Sequence, residues 1–213
     1  MNLKYFKFSK KELIHLAVST VALSFAFALV LYRDEIYPGF NFRPEYFFYS
    51  LIIVGFAFIL HEELGHKLVA QKYGCWAEYR AWPTGLFFAV ALALMSKGGF
   101  VFAAPGAVMI SNIKESELGY EYINLSYEKM GKIGIAGSVV NVILAIIFSG
   151  LTISFAAYAH IFSMAAIVNV WLALFNMIPF GPLDGAKVMQ WDKRIWGAMI
   201  GICLLLMFTI PLL

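Results

Sequence analysis

The stretch Ile59-Leu60-His61-Glu62-Glu63-Leu64-Gly65-His66 places two histidines and two adjacent glutamates within an apolar run. Residues 47–60 carry no charge, and the chain continues after Lys67 with Leu68-Val69-Ala70. Ionisable side chains are costly at membrane depth and mark functional sites there. The cluster is therefore the first candidate for a site in this chain.

The composition is that of an integral membrane protein. Of the 213 residues, 62% are hydrophobic and only 14% are charged, whereas a soluble domain carries roughly 25% charged residues. The length favours one domain, 1–213. The two cysteines, Cys75 and Cys203, offer neither a disulfide framework nor a cysteine zinc site.

The apolar segments predict an all-α polytopic membrane protein with five to six transmembrane helices. The five full spans are expected at 13–31, 46–73, 133–154, 156–178 and 195–213. Segment 86–95 is apolar but too short to cross a bilayer alone. Segments 75–80 and 100–110 favour extended backbone, and the second predicts a small membrane-associated β-hairpin or re-entrant loop that lines a cavity.

The basic residues predict the orientation. Of the 16 lysines and arginines, only Arg33 and Arg43 fall in the segments that lie outside if the N-terminus is cytoplasmic. The other fourteen lie on the cytoplasmic side or at its membrane edge, as the positive-inside rule requires. This topology brings His66 and Asp184 to the cytoplasmic ends of two helices, so we expect the site near the cytoplasmic side.

Two histidines and a glutamate on one helix are the metal ligands and general base of zinc metalloproteases, normally as H-E-x-x-H. His61 and His66 are five residues apart, about 140° around a regular α-helix, which cannot aim both at one metal. One extra residue is what a π-bulge absorbs. The sequence then reads H-E-x-x-G-H, a spacing similar to that of soluble zinc dipeptidyl-peptidases, with Glu62 as the base.

Two alternatives to this register remain. In the first, Glu62 takes the place of the first histidine and Glu63 is the base of a four-spaced motif. In the second, the extra residue disables the site. We favour His61, Glu62 and His66, because imidazole is the more common zinc ligand.

A catalytic zinc needs a third protein ligand, and Asp184 is the best candidate. It lies within a stretch with two prolines and two glycines, 179–185, which breaks the preceding helix. An ordinary turn residue is the alternative. Asn141 and Asn176 could donate hydrogen bonds to a developing oxyanion or serve helix packing. A proton-coupled transporter is disfavoured, since the spans carry no further charges and no internal repeat.

The chain resembles the site-2 protease family of intramembrane zinc metalloproteases. That family combines a transmembrane H-E-x-x-H helix with a later N-x-x-P-x-x-x-D-G type stretch, which stands here as Asn176-Met177-Ile178-Pro179-Phe180-Gly181-Pro182-Leu183-Asp184-Gly185. Between the two motifs, Gly137-Ser138-Val139-Val140-Asn141 resembles the family's G-x-x-x-N helix start. The resemblance covers about 46–187, the expected catalytic core.

The resemblance implies one zinc ion per chain, held by His61, His66 and Asp184, with Glu62 as general base. It also implies hydrolysis of a peptide bond in or near a transmembrane segment, after the substrate helix unwinds and pairs with an apolar edge strand within 100–110. The expected partners are a transmembrane protein substrate and the lipid bilayer, with no nucleic acid and no indication of an oligomeric state. A catalytically inactive, metal-binding pseudoprotease is the alternative function.

Overall fold

The computed structural model describes residues 8–116 and 119–210. Some residues with a predicted position lie outside the described part. They are Lys4 and Lys7, which the sequence assigns to the cytoplasmic side, Glu117, and the last three residues of the fifth expected span. Helices dominate what is described. They are α1 (Lys10–Leu31), α2 (Arg33–Ile36), α3 (Pro44–Ile59), α4 (Leu68–Lys72), α5 (Pro83–Met95), α6 (Tyr127–Ser154), α7 (Ala159–Asn176), α8 (Asp184–Trp191) and α9 (Lys193–Thr209), with a 3-10 turn at Ala156–Tyr158.

A π-helical segment, Leu60–Lys67, joins α3 to α4 without interruption. Residues 44–72 therefore form one 29-residue helix with a wider section near its end. Pro44 begins this helix at a position where a missing backbone N–H costs nothing. Gly74, with φ +81°, follows its last turn and reverses the chain.

Side-chain caps fix the start of three long helices. The Ser9 hydroxyl accepts the Glu12 N–H at the start of α1, and Ser126 accepts the Lys129 N–H at the start of α6. At α9, the Asp192 carboxylate accepts two backbone N–H groups. Each bond satisfies donors that a helix N-terminus would otherwise leave unpaired.

Four described helices are long and apolar enough to cross a membrane. They are Lys10–Leu31, Pro44–Lys72, Tyr127–Ser154 and Ala156–Asn176, which coincide with four of the five expected spans. The fifth expected span corresponds to α9, whose 17 described residues lie at the lower end of the roughly 17–25 that a membrane-spanning helix needs. Helix α5 has 13 residues and is too short. The chain is thus a mostly helical membrane protein.

Two small antiparallel sheets complete the fold, so the chain is not purely α-helical. Strand β1 (Trp76–Ala81) pairs with β2 (Gly106–Ser111), and β3 (Ile113–Ser116) pairs with β4 (Gly119–Tyr122). The first sheet joins strands on either side of α5, with Tyr79 opposite Val108. The hairpin expected within 100–110 is therefore replaced by an extended loop at 100–105 and one strand of a longer-range pair.

The helices pack in two groups that meet at the π segment. Helix α1 packs on α3, α5 and β1, and α6 packs on α7, α8 and the π segment. The extended loop before β2 is anchored to α7, because the Trp171 indole N–H donates to the Val101 carbonyl (3.1 Å). The two histidines consequently lie where the first helix group and its sheet meet α6 and α8.

Candidate metal centre

The π segment turns both histidines toward the same point. Its backbone closes hydrogen bonds over five residues rather than four, so residues five apart lie on one face. The rings of His61 and His66 lie 4.7 Å apart, centroid to centroid, and their Nε2 atoms are 3.0 Å apart. The structure therefore contains the wider helical turn that the five-residue spacing predicts.

Asp184 joins the histidines from the first turn of α8. Its Oδ2 lies 3.1 Å from His66 Nε2, and one ligand atom from each of the three residues lies within 4.8 Å of the others. The break between α7 and α8 makes this approach possible. Gly181 in that break has φ +59°, and a side chain on Gly185 would collide with the Met177 carbonyl.

The hydrogen bonds around the group leave its ligand atoms facing inward. His66 Nδ1 lies 2.8 Å from the Ile133 carbonyl oxygen, which can only accept, so Nδ1 carries the proton and Nε2 has a free lone pair. Asp184 uses its other oxygen, Oδ1, to accept from Lys187 Nζ (2.7 Å). Partners of this kind fix ligand orientation at metal sites.

The distances suit a zinc ion. Two nitrogens bound to one tetrahedral zinc at 2.0–2.1 Å lie ~3.3 Å apart, close to the 3.0 Å between the two Nε2 atoms. The carboxylate oxygen lies at a similar distance from His66, 3.1 Å. Two imidazoles and one carboxylate leave room for a fourth ligand, as in catalytic zinc sites. The residues present therefore fit this metal.

The two adjacent glutamates have different surroundings. Glu62 lines the cleft with His66 and Asp184. Glu63 is absent from the cleft lining, and its Oε2 lies 3.0 Å from Lys67 Nζ. This separation favours the register in which Glu62 is the base over the one that assigns that role to Glu63.

Gly137, on α6, lies directly against the rings of the two histidines. A Cβ atom there would lie 2.6 Å from His61 Nε2 and would also collide with His66 Nε2. Only glycine leaves the space that the two rings occupy. The missing side chain at position 137 therefore lets both rings rest directly against α6.

The two asparagines lie in different places. Asn176 lines the cleft, although its amide already donates to the Leu172 carbonyl (3.0 Å). Asn141 is fully buried in α6, one turn beyond Gly137, and does not line the cleft. Neither amide atom of Asn141 has a hydrogen-bond partner in the part of the chain that the structure describes.

A cleft of about 420 Å³ opens beside these groups. One wall is β2, from Gly106 to Ile110, and the opposite wall carries Asn176 and Lys187. Glu62 and these residues of β2 thus line the same cleft. Motif reasoning missed Lys187, although its position three residues after Asp184 on one helical face is visible in the sequence. The Ile133 carbonyl had no sequence signal.

Two named proteins are similar in sequence to this chain. The chain is 40% identical over 210 residues to a protein of Methanocaldococcus jannaschii named "Putative zinc metalloprotease MJ0611", a match that covers 95% of this chain and 98% of that protein. A second protein of that archaeon, "Zinc metalloprotease MJ0392", is 28% identical over 148 residues, which are 68% of this chain and 34% of that protein. No family model matches, and no solved structure gives a significant match.

A relative that is 40% identical over nearly the whole of both chains establishes common family membership. Both relatives are named as zinc metalloproteases. In this chain His61, His66 and Asp184 form a group that could hold a metal ion. This chain therefore belongs to the zinc metalloprotease family of the archaeal protein MJ0611.

Proposed function

We propose that this chain is an intramembrane zinc metalloprotease of the site-2 type, which hydrolyses a peptide bond within or near a transmembrane segment of another membrane protein. The observation that carries the proposal is the position of Glu62. It lies in one cleft with His66 and Asp184 on one side and the backbone of β2 on the other. This arrangement supports the assignment of a base, a metal site and a peptide-binding edge to one cleft.

One zinc ion per chain would be held by His61, His66 and Asp184. When bound, zinc supplies Lewis acidity and lowers the pKa of a water at the site to about 7. Glu62 accepts the proton of the attacking water and then delivers it to the leaving amine, as a general base and acid. Lys187 and the Ile133 carbonyl hold Asp184 and His66 in place, and Asn176 is positioned to contact the substrate carbonyl.

The edge of β2 at Val108 supports binding of an unwound substrate. The Tyr79 N–H donates to Glu12 rather than to β2, so the opposite residue, Val108, also directs its N–H and carbonyl away from the pair. These groups face the cleft. A substrate segment that leaves its helix would lose backbone hydrogen bonds, and pairing with β2 would replace them.

The other edge of the sheet is closed by α1. Glu12 accepts the Tyr79 N–H (2.9 Å), and His15 Nδ1 accepts the Ala81 N–H (3.0 Å). The Arg80 guanidinium beside Glu78 and the Ser9 hydroxyl bonded to it keep the pKa of Glu78 below its usual value, so this carboxylate stays ionised against α1. A substrate strand therefore has one edge to which it can add.

We further propose that the N-terminus is cytoplasmic and that the metal site lies near that side. Most basic residues support this orientation: thirteen of 16 fall on the side that it makes cytoplasmic. Lys97 joins Arg33 and Arg43 on the outer side, because the neighbouring Gly98 packs against Leu29 and Arg33 at the end of α1, a correction to the fourteen expected from the sequence. Water reaches the cleft from there. The substrate is a single-pass membrane protein, the class whose cleavage needs a water-accessible site at membrane depth.

The test compares Glu62→Gln with Glu63→Gln against a panel of doubly tagged single-pass helices in reconstituted vesicles. We expect Glu62→Gln to retain zinc and to lose cleavage by at least 100-fold, and Glu63→Gln to retain most of it. Mass spectrometry of the products should locate the cut within or beside the membrane segment. Cleavage that survives Glu62→Gln but is lost in Glu63→Gln would contradict Glu62 as the base and favour the register with Glu63 in that role. Absence of cleavage throughout the panel in the zinc-loaded parent would favour the alternative of a pseudoprotease.

A further inference from the structure

A buried ion cluster lies behind the metal site, on the side away from the cleft. Lys67 Nζ is 2.8 Å from each carboxylate oxygen of Glu12 and 3.0 Å from Oε2 of Glu63. The side chains of Lys67 and Glu12 are 0% exposed, and that of Glu63 is 4% exposed. The ring of Phe8 covers the ammonium, with its centroid 4.0 Å from Nζ. We call Glu12, Glu63 and Lys67 the Lys67 cluster.

The cluster connects three separate elements of the fold. Glu12 belongs to the first turn of α1, whereas Glu63 and Lys67 belong to the π segment. Glu12 Oε1 also accepts the Tyr79 N–H of β1. One carboxylate therefore links α1, the helix that carries the histidines and the sheet that borders the cleft.

The cluster also involves the immediate neighbours of two site residues. Glu63 follows Glu62, and Lys67 follows His66. On a helix, a residue that is fixed on one face directs the residue before it toward a different face. With Lys67 held by Glu12 and Glu63 held by Lys67, Glu62 and His66 face the cleft, where the structure places them.

Burial makes this arrangement selective. A buried charge without its partner is strongly unfavourable, so any register that turns Glu63 toward the cleft leaves Lys67 with fewer compensating oxygens. With its additional residue, the motif places the Glu63 carboxylate beside the buried Lys67 ammonium, which needs negatively charged partners. This explains how the helix accommodates the extra residue in one defined conformation.

We propose that Glu12 and Lys67 are positioning residues of the metal site, which hold the π segment in the five-residue register and fix the metal helix against the β1–β2 sheet. The proposal rests on the proposed function, because it assigns these residues to the same zinc site. Neither residue contacts the cleft. They act through the backbone that they hold.

The first experiment measures zinc affinity of the purified full chain in detergent by competition with a chromogenic chelator, well below the unfolding temperature of each variant. We expect Glu12→Gln to weaken zinc binding about 10- to 100-fold, the range for partners that orient metal ligands. Ser19→Ala is the matched control. It removes the bond from the Tyr79 hydroxyl (2.8 Å) at the same α1–β1 contact but leaves the Lys67 cluster intact.

A second variant separates positioning from stability. The triple change Glu12→Gln, Glu63→Gln and Lys67→Met removes both buried carboxylates of the cluster together with the buried ammonium, and we expect its unfolding temperature to return to that of the Ser19→Ala control. Zinc affinity should stay at least 10-fold below that of the parent. Recovery of both properties in the triple variant, or equal zinc affinity in Glu12→Gln and Ser19→Ala, would overturn the proposal.

Zinc affinity also distinguishes this proposal from the proposed function. A parent chain that binds zinc but cleaves no helix leaves the positioning test valid and contradicts only the protease activity. Cobalt substitution adds a spectroscopic readout, because its visible absorption depends on ligand geometry. We expect the cobalt spectrum to change in Glu12→Gln and to stay unchanged in Ser19→Ala. An unchanged spectrum in both variants would count against the proposal.

Discussion

Gly65 and Gly137 meet where the π segment crosses α6: a Cβ atom on Gly65 would lie 2.5 Å from the Cα atom of Gly137. Because neither residue has a side chain, the two backbones approach closely and the histidine rings rest on α6. The metal site therefore depends on two positions without side chains, on elements more than 70 residues apart in the sequence.

Gly137→Ala should abolish zinc binding. Its Cβ would occupy the space of both histidine rings, so the ligands would have to separate from each other or from α6. We expect zinc affinity to fall by about 100-fold or more, the upper end of the range for disturbed ligand orientation. Elemental analysis of the purified variant measures this directly.

Gly150→Ala is the control for that change. It lies on the same helix, and an added Cβ would meet nothing within 4 Å. An alanine in place of a helical glycine should leave zinc content unchanged and increase stability by about 0.5–1 kcal/mol. Equal zinc content in both variants would show that α6 does not determine the site.

Lys187→Met should weaken the metal site without unfolding the chain. The Lys187 ammonium lies 2.7 Å from Asp184 Oδ1 and is partly exposed, so its loss frees the ligand carboxylate to rotate. We expect zinc affinity to fall about 10-fold. Lys132→Met, which removes an exposed lysine paired with Glu128, should leave zinc affinity unchanged. A loss in both variants would point to a general charge effect.

Deletion of Glu63 should convert the π segment to a regular α-helix. His61 and His66 would then be four apart, the spacing that a regular helix places on one face. We expect zinc to be retained, although with lower affinity, because the Lys67 cluster loses one carboxylate. Insertion of one alanine after Glu63 puts the histidines six apart and should abolish binding. Zinc loss in the deletion variant would show that the wider turn is indispensable.

Val108→Pro should impair substrate cleavage and leave zinc binding intact. Val108 directs its N–H toward the cleft, so proline removes a donor from the proposed substrate edge without removing a bond to β1. We expect kcat/KM for a helical substrate to fall about 10-fold, as the loss of one backbone hydrogen bond implies. Val108→Ala retains the N–H and is the control. Equal cleavage in the two variants would argue against strand addition.

Much of the metal site follows from local sequence pattern. Helical periodicity shows that a five-residue spacing needs one wider turn, and the structure contains that turn at Leu60–Lys67. The prolines and glycines before Asp184 indicate a helix break, and Asp184 meets the histidines there. These inferences succeed because each depends on residues close together in the chain.

Features that depend on distant pairing have no such pattern. Strands β1 and β2 pair across α5, and the apolar run of 100–110 by itself suggests a local hairpin. The charge of Glu12 in a lysine-rich flank suggests solvent exposure, yet its side chain is fully buried against Lys67. A partner 55 residues away determines that burial, and sequence periodicity does not report such contacts.

The closure of one sheet edge by α1 has a consequence for assembly. An unpaired strand edge recruits other chains and is a common origin of aggregation. Glu12 and His15 occupy the donors of β1, and the remaining edge lies inside a cleft of about 420 Å³. Val108 at that edge is buried, and a recessed edge is less accessible to the flat edge of a second copy than the edge of an open sheet. The position of β2 therefore limits the pairing between copies that an outer strand edge would permit.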